Sequence, residues 1–274
     1  MENNLIKLSE NLKVTVVNET DSVANFQIDG LYRGYGLTLG NALRRVLLSS
    51  LPGAAITSVK IKGVGHEFTT IPGVMEDVVE ICLNLKKVRF AFHPGESNSE
   101  ILVLKAKGEG AITAKDIADI SNVEVVNKDL HIATISAKGT EVEIELTVER
   151  GLGYVPVESF KTATLPVGVL QLDALFSPVT KVNFTVENMR VGDKTDFNRL
   201  NLMVETDGGV KPTVALAYAL RVITSQFSKI SELLGTTVPT AAGAALEEGE
   251  PRSSEDEREE KKEKKAKKSA KKAK

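Results

Sequence analysis

The chain has 274 residues, a formal net charge of −2 and a single cysteine, Cys82. At about 150 residues per domain this is one or two domains, and the near-neutral balance excludes global steering toward nucleic acid or an anionic membrane. One cysteine cannot form an internal disulfide, which fits a reducing compartment. The opening residues MENNLIKLSENLK lack the apolar core of a signal peptide. No run approaches the ~20 apolar residues that span a bilayer. A soluble cytoplasmic protein is therefore expected.

Residues 12–17 and 22–29 alternate on either side of the polar NETD, the pattern of a hairpin. A helix is expected over about 39–51, with Thr38 as N-cap and Pro52-Gly53 as the stop. Residues 55–62 alternate again, a second helix covers about 75–85, and short strands at 89–92 and 101–106 flank HPGESNSE. The clearest strand is 141–149. Glu141, Glu143, Glu145, Thr147 and Glu149 fall on one side of it; Val142, Ile144, Leu146 and Val148 fall on the other. Strands at 181–187 and 200–205 follow, then a third helix from Pro212, a residue suited to the first helical turn, to a stop at Gly235. Strands dominate without βα alternation, which argues α+β rather than a doubly wound sheet.

The first helix has two faces. At 100° per residue Leu39, Ala42, Leu43, Val46 and Leu47 cluster on the side expected to pack on a sheet. The other side carries Leu37, Asn41, Arg44, Arg45 and Leu48. That mixture suits contact with another protein, although an ordinary surface face would also accommodate it. Gly34, Gly36 and Gly40 precede or open this helix. Their spacing is not G-x-G-x-x-G, and no acid follows in AAITSVKIKG, so a dinucleotide site is disfavoured. Glycines that let the backbone turn tightly into the helix are the simpler reading. In the third helix Leu216, Leu220, Ile223, Phe227, Ile230 and Leu234 recur at spacings of 4, 3, 4, 3 and 4, a heptad pattern. Packing on the chain's own sheet accounts for such a stripe, and so does a seam with a second copy.

Sites for independent catalysis are missing. His66, His93 and His131 lack metal-ligand spacing. G-x-S-x-G, P-loop and H-E-x-x-H motifs do not occur, nor does a closely spaced aspartate triplet of the kind that holds polymerase magnesium. The acidic row of the 141–149 strand reads as a solvated face, and Cys82, between Ile81 and Leu83, reads as a small buried apolar group.

Several long segments are similar, in order, to the amino-terminal domain of bacterial-type RNA polymerase alpha subunits. They are RGYGLTLGNALRRVLLSSLPG, GVGHEFTTIPGVMEDVVEICLNLK at 63–86, RGLGYVP at 150–156, LDALFSPV at 172–179 and NFTVENMRVGDKTDFNRLNLMVET at 183–206. The resemblance implies a discontinuous antiparallel-sheet dimerisation domain, residues 1–52 and 179–235, interrupted by a mostly β inserted domain at 53–178. It implies a non-catalytic subunit that homodimerises and on which beta and beta-prime assemble, with omega and sigma in the larger complex and magnesium held by the catalytic partner. The chain itself is expected to hold no cofactor or metal. The family pattern places beta contacts at Arg33, Gly34, Thr38, Asn41, Arg44, Arg45 and Leu48, with the loop His66, Glu67, Phe68 and Gly73 added to that face. For beta-prime it points to Asp77, Glu80, Lys86, Leu172 and Asp173; Leu172 stands where the family usually has valine. The dimer interface implied is Leu39, Leu43, Val46 and Leu47 with Leu216, Leu220, Ile223, Phe227, Ile230 and Leu234. The alternative is a stand-alone homodimer without polymerase partners.

The composition breaks near Gly235. TTVPTAAGAAL leads into an acid-rich stretch and then nine lysines against one acid over 261–274. Residues 236–274 are expected to be linker plus disordered tail. Nothing there resembles the family's small carboxy-terminal domain, which binds upstream promoter DNA and activators. The lysine block suits contact with DNA phosphates through counterion release; a solubilising tail has the same composition.

Overall fold

Asn18 and Glu19 of NETD end strand β1 (Lys13–Glu19), and residues 20–22 make the hairpin turn into β2 (Val23–Leu31), where Val23 N donates to Thr20 Oγ1 at 3.0 Å. The computed structural model describes residues 12–92, 97–120, 122–160, 166, 168–192 and 194–234. β2 buries Ala24, Phe26 and Ile28 on one face, and helix α1 (Tyr35–Ser49) follows. The helix begins earlier than expected. Its N-cap is Gly34, not Thr38, and its backbone is left-handed there at φ 85°, a conformation that glycine adopts without steric cost. Gly34 N donates to Asn198 Oδ1 at 2.8 Å, while the Thr38 hydroxyl donates back to Gly34 O at 3.3 Å inside the first turn. The helix stops short of Pro52, where β3 (Pro52–Ile61) begins.

Helix α2 (Val78–Leu85) starts three residues later than expected because Asp77 caps it, its Oδ1 accepting from Glu80 N at 2.7 Å. The chain then forms β4 (Phe90–Phe92), β5 (Ser99–Lys107), β6 (Gly110–Thr113), β7 (Val123–Val125), β8 (His131–Ile135) and the long β9 (Glu141–Leu152). Short β10 (Tyr154–Val155), β11 (Val169–Gln171) and β12 (Ala174–Leu175) come next. The chain continues through β13 (Val179–Val191), β14 (Lys194–Thr206) and helix α3 (Pro212–Leu233). Glu76, just ahead of α2, accepts from Thr134 N at 2.6 Å and from Thr134 Oγ1 at 3.1 Å on β8. Those bonds hold residues 75–77 out of the helix.

Two four-stranded antiparallel sheets carry the fold, in orders β1-β2-β14-β13 and β11-β3-β9-β5. The strands on either side of residues 93–100 do not pair with each other: β4 pairs with β7 and β5 with β9. The second sheet buries Val142, Ile144, Leu146 and Val148 of β9 against α2 residues Val78, Ile81 and Leu85 and against β8. The first sheet buries Phe26, Val182, Leu202 and Val204 against Leu43 and Leu47 of α1 and Leu216 of α3. At about 25 cal/mol per Å² of apolar area, these two clusters are the main stabilising term of the fold.

Gly36 and Gly40 serve this packing rather than the turn. A Cβ on Gly36 would lie 2.6 Å from Val186 Cγ1, and one on Gly40 would lie 2.6 Å from the Phe184 ring, so α1 sits on β13 at a distance that no side chain permits. Residues 1–225 form one unit and 226–274 another, of which 226–234, the end of α3 and the residue after it, are described. Gly235, the expected stop of α3, His93 and the whole 236–274 tail lie outside the described residues.

Candidate functional site

The outer face of α1 is open to solvent. Arg33, Gly34, Thr38, Asn41, Arg44, Arg45 and Leu48 are all exposed, and Leu37 keeps 58% of its surface. Neither Arg44 nor Arg45 has an ion pair or side-chain hydrogen bond among the described residues. Each presents a fixed fork of guanidinium donors beside exposed leucine. The helix beneath is held by the fully buried Leu43 and Leu47, so this face is displayed on a rigid element.

A second group of residues gathers at the end of α2. Lys86 Nζ donates to Asp173 Oδ2 at 3.2 Å, and Asp173 Oδ1 accepts from Val157 N at 3.1 Å. The Val157 amide first, then the Lys86 ammonium, hold the Asp173 carboxyl below its ordinary range. Asp173 also acts on Tyr154: desolvation of the hydroxyl, then the charge of the neighbouring carboxylate, pushes that phenol up. Glu80 is exposed, Leu172 is half-buried, and Asp77 is engaged as the α2 cap. Two residues of the 66–68 loop reach this group. Glu67 and Phe68 line a cleft with Leu83, Lys86, Leu172 and Asp173, and Phe68 is 80% exposed. Cys82 lies in the same cleft wall, and burial, then the charge of Glu67, pushes its thiol up to about 11, which leaves it unreactive at neutral pH. His66 is exposed. Gly73 plays a structural part: its φ is +83°, its carbonyl accepts from Ser136 N at 2.8 Å, and a Cβ there would lie 2.4 Å from Thr140 Oγ1.

The residues expected at a dimer seam divide. Leu43, Leu47 and Leu216 are 2%, 0% and 5% exposed, so they belong to the chain's own core and the interface expected of them is corrected. A side chain with no surface left in one chain has none to offer a second. Leu39, Val46 and Ile223 are half-buried against that core. Leu220, Phe227, Ile230 and Leu234 are exposed.

The acids of β9 are matched by lysines on the neighbouring strands. Lys60 reaches Glu145 at 3.1 Å, Lys62 and Lys105 reach Glu143 at 3.0 and 2.8 Å, and Lys107 lies 4.0 Å from Glu141. His131 pairs with Glu76 at 3.0 Å. Among the described residues no group of three or more His, Cys, Asp or Glu could hold a metal ion, and no helix is long and apolar enough to cross a membrane.

Open guanidinium groups beside exposed apolar side chains on a rigid helix suit contact with another protein. Residues 59–177 match the family described as the RNA polymerase Rpb3/RpoA insert domain. Over 212 residues the chain is 49% identical to the DNA-directed RNA polymerase subunit alpha of Symbiobacterium thermophilum, which covers 77% of this chain and 66% of that protein. It is 51% identical over 214 residues to the subunit of the same name from Carboxydothermus hydrogenoformans, covering 78% and 67%. It is 53% identical over 199 residues to that of Desulforudis audaxviator, covering 73% and 62%. The chain thus spans about two thirds of the length of the curated relatives it matches, and it belongs to the family of bacterial RNA polymerase alpha subunits.

Proposed function

We propose that this chain homodimerises and serves as the platform on which the beta and beta-prime subunits of a DNA-dependent RNA polymerase assemble. The observation that carries the reading is the two-sided α1. Its inner leucines are fixed in the chain's own core, and its outer face offers exposed Leu48 beside the Arg44 and Arg45 guanidinium groups, which have no partner among the described residues. Arg45 is the anchor for beta, since its planar fork can hold a carboxylate bidentately. Lys86, Leu172 and Asp173, joined by Glu80, form the beta-prime contact, and the exposed apolar residues of α3 meet a second copy. The reading takes 1–52 with 179–235 as the dimerising part and 53–178 as an inserted domain, which the two separate sheets and the match over 59–177 support.

In this reading catalysis and its magnesium belong to the partner subunits, omega and sigma join the assembled particle, and the particle works in the cytoplasm on the nucleoid. The lysines of 261–274 add sequence-independent contacts to DNA phosphates. Deletion of residues 250–274 should then flatten the salt dependence of DNA binding by the assembled enzyme, and an unchanged slope rules that role out. The central test is Arg45→Ala. The variant should keep the melting temperature and the dimer, measured by sedimentation, while losing capture of purified beta. Unfolding of Arg45→Ala, or undiminished capture, defeats the reading.

A further inference from the structure

The region between α1 and the Lys86–Asp173 pair carries apolar surface that the beta contacts described so far leave unused. Leu152, Tyr154 and Leu175 are 58%, 59% and 45% exposed. Leu152 and Tyr154 flank Gly153 at the end of β9, and Tyr154 is the cross-strand partner of Leu175 in the β10–β12 ladder, so these two side chains share one face. Three exposed large apolar residues this close in the chain and across a ladder are a patch rather than the scattered exposure usual on a surface.

The backbone ties this patch to the carboxy-terminal turn of α1. Ser177 Oγ, two residues from Leu175, donates to Leu48 O at 3.1 Å. A Cβ on Gly153 would lie 3.7 Å from Ser49 O, which is van der Waals contact, and Ser49 Oγ donates to Arg45 O at 2.8 Å. Gly153 at φ +64° makes the kink that brings β9 into β10 there, while its carbonyl accepts from Phe176 N at 2.8 Å. Leu48, itself exposed, therefore belongs to a turn of α1 whose backbone lies against the segments that carry Leu152, Tyr154 and Leu175.

We infer that Leu152, Tyr154 and Leu175 are the apolar centre of the beta-docking surface, with Arg45 at its charged rim. This rests on the assignment of beta to the α1 face. Interfaces concentrate their binding energy in buried aromatic and aliphatic anchors ringed by polar groups. The α1 face sets its guanidinium groups beside Leu37 and Leu48, and the strip adds three more large apolar side chains, one of them aromatic. The segment of beta that fits presents apolar side chains to the strip and a carboxylate to Arg45. Tyr154 contributes its exposed ring rather than its hydroxyl to the contact.

The test uses the full-chain dimer and purified beta and beta-prime in separate equilibrium binding measurements. Leu152→Asp and Leu175→Asp change exposed residues and should leave dimerisation and the melting temperature in place. Each should weaken beta at least tenfold, and Tyr154→Phe should stay within twofold of the parent. Leu175→Gln gives the same readout should an aspartate disturb the ladder. Arg45→Ala is measured in parallel. If Arg45→Ala weakens beta and the strip variants do not, the strip is overturned and the docking reading stands. If the strip variants weaken beta-prime and spare beta, the inference is also overturned. If the parent chain captures no beta at all, the underlying reading fails with it.

Discussion

The outer face of β9 and the outer face of α1 both carry rows of charge on a rigid element, and they end differently. On β9 each of Glu141, Glu143 and Glu145 has a lysine on β3 or β5 within 4.0 Å, so the sheet neutralises its own surface. On α1, Arg44 and Arg45 are left open beside Leu37 and Leu48, and nothing among the described residues answers them. Charge density alone does not separate a solvated surface from a docking surface. The separation comes from whether the chain supplies the counter-charge and whether apolar surface lies alongside. Exposed, internally paired ions contribute little to stability or recognition. Open guanidinium groups next to apolar surface keep their hydrogen bonds for a partner.

The largest effects should come from unseating α1, which abolishes the comparison by removing its second member. Leu47 is fully buried. Leu47→Ala is expected to cost ~2–5 kcal/mol through lost burial and the cavity left behind, a fall in melting temperature of roughly 4–20 °C for a chain of this size. Gly40→Leu should do comparable harm by the opposite route, since even a Cβ meets the Phe184 ring at 2.6 Å. Thermal unfolding of either variant at the parent's melting temperature would mean that α1 is not held by this packing.

Much of this was legible in the sequence where a period recurs. The alternation of β9 and the 100° arithmetic of α1 separate the buried from the exposed residues correctly, because each element packs one side only and nothing interrupts its period. Leu43, Leu47 and Leu216 lie in the core instead of the expected dimer seam, because an apolar stripe does not say whether it meets its own sheet or a second chain. The N-cap of α1 was missed because Gly34 caps through its backbone conformation, with no capping side chain to read. The late start of α2 depends on Glu76 bonding a strand more than 50 residues further on. Contacts across the fold are likewise why Gly36 and Gly40 looked like turn residues and are contact residues, and why the 66–68 loop sits beside Lys86. The short strands β6, β7, β8, β10, β11 and β12 are too brief to establish a period. Of the candidate faces, the exposed side of α1 was readable; the apolar strip at Leu152, Tyr154 and Leu175 was not, since it is assembled from two segments about 20 residues apart.

An intermediate effect should come from Arg45→Lys, which keeps the charge and removes the planar fork. The side chain is exposed and makes no ion pair among the described residues, so stability should stay within ~0.5 kcal/mol of the parent. Affinity for beta should fall about tenfold, corresponding to roughly 1.4 kcal/mol, short of the loss in Arg45→Ala. Titration of beta against both variants sharpens the comparison. If lysine and arginine bind equally, the α1 face acts by net charge alone and differs from β9 only in sign.

The smallest effect should come from the β9 row itself. The ammonium of Lys105, then that of Lys62, holds the Glu143 carboxyl at about 2, well below the ordinary 4.5. A carboxyl lowered on folding contributes stability that is present above its unfolded value and is lost as pH falls through the folded one. The urea midpoint of the parent should therefore exceed that of Glu143→Gln by a little at pH 7. That difference should hold down to about pH 4.5 and close between there and pH 2. It should also shrink in 1 M salt, because the group is exposed and screened. Taking the difference between the two proteins at each pH cancels the titration of the other carboxylates, which both share. A large difference at pH 7 that neither acid nor salt reduces would show that Glu143 is doing something other than neutralising its lysines. The contrast between a self-satisfied face on β9 and an open one on α1 would then no longer hold.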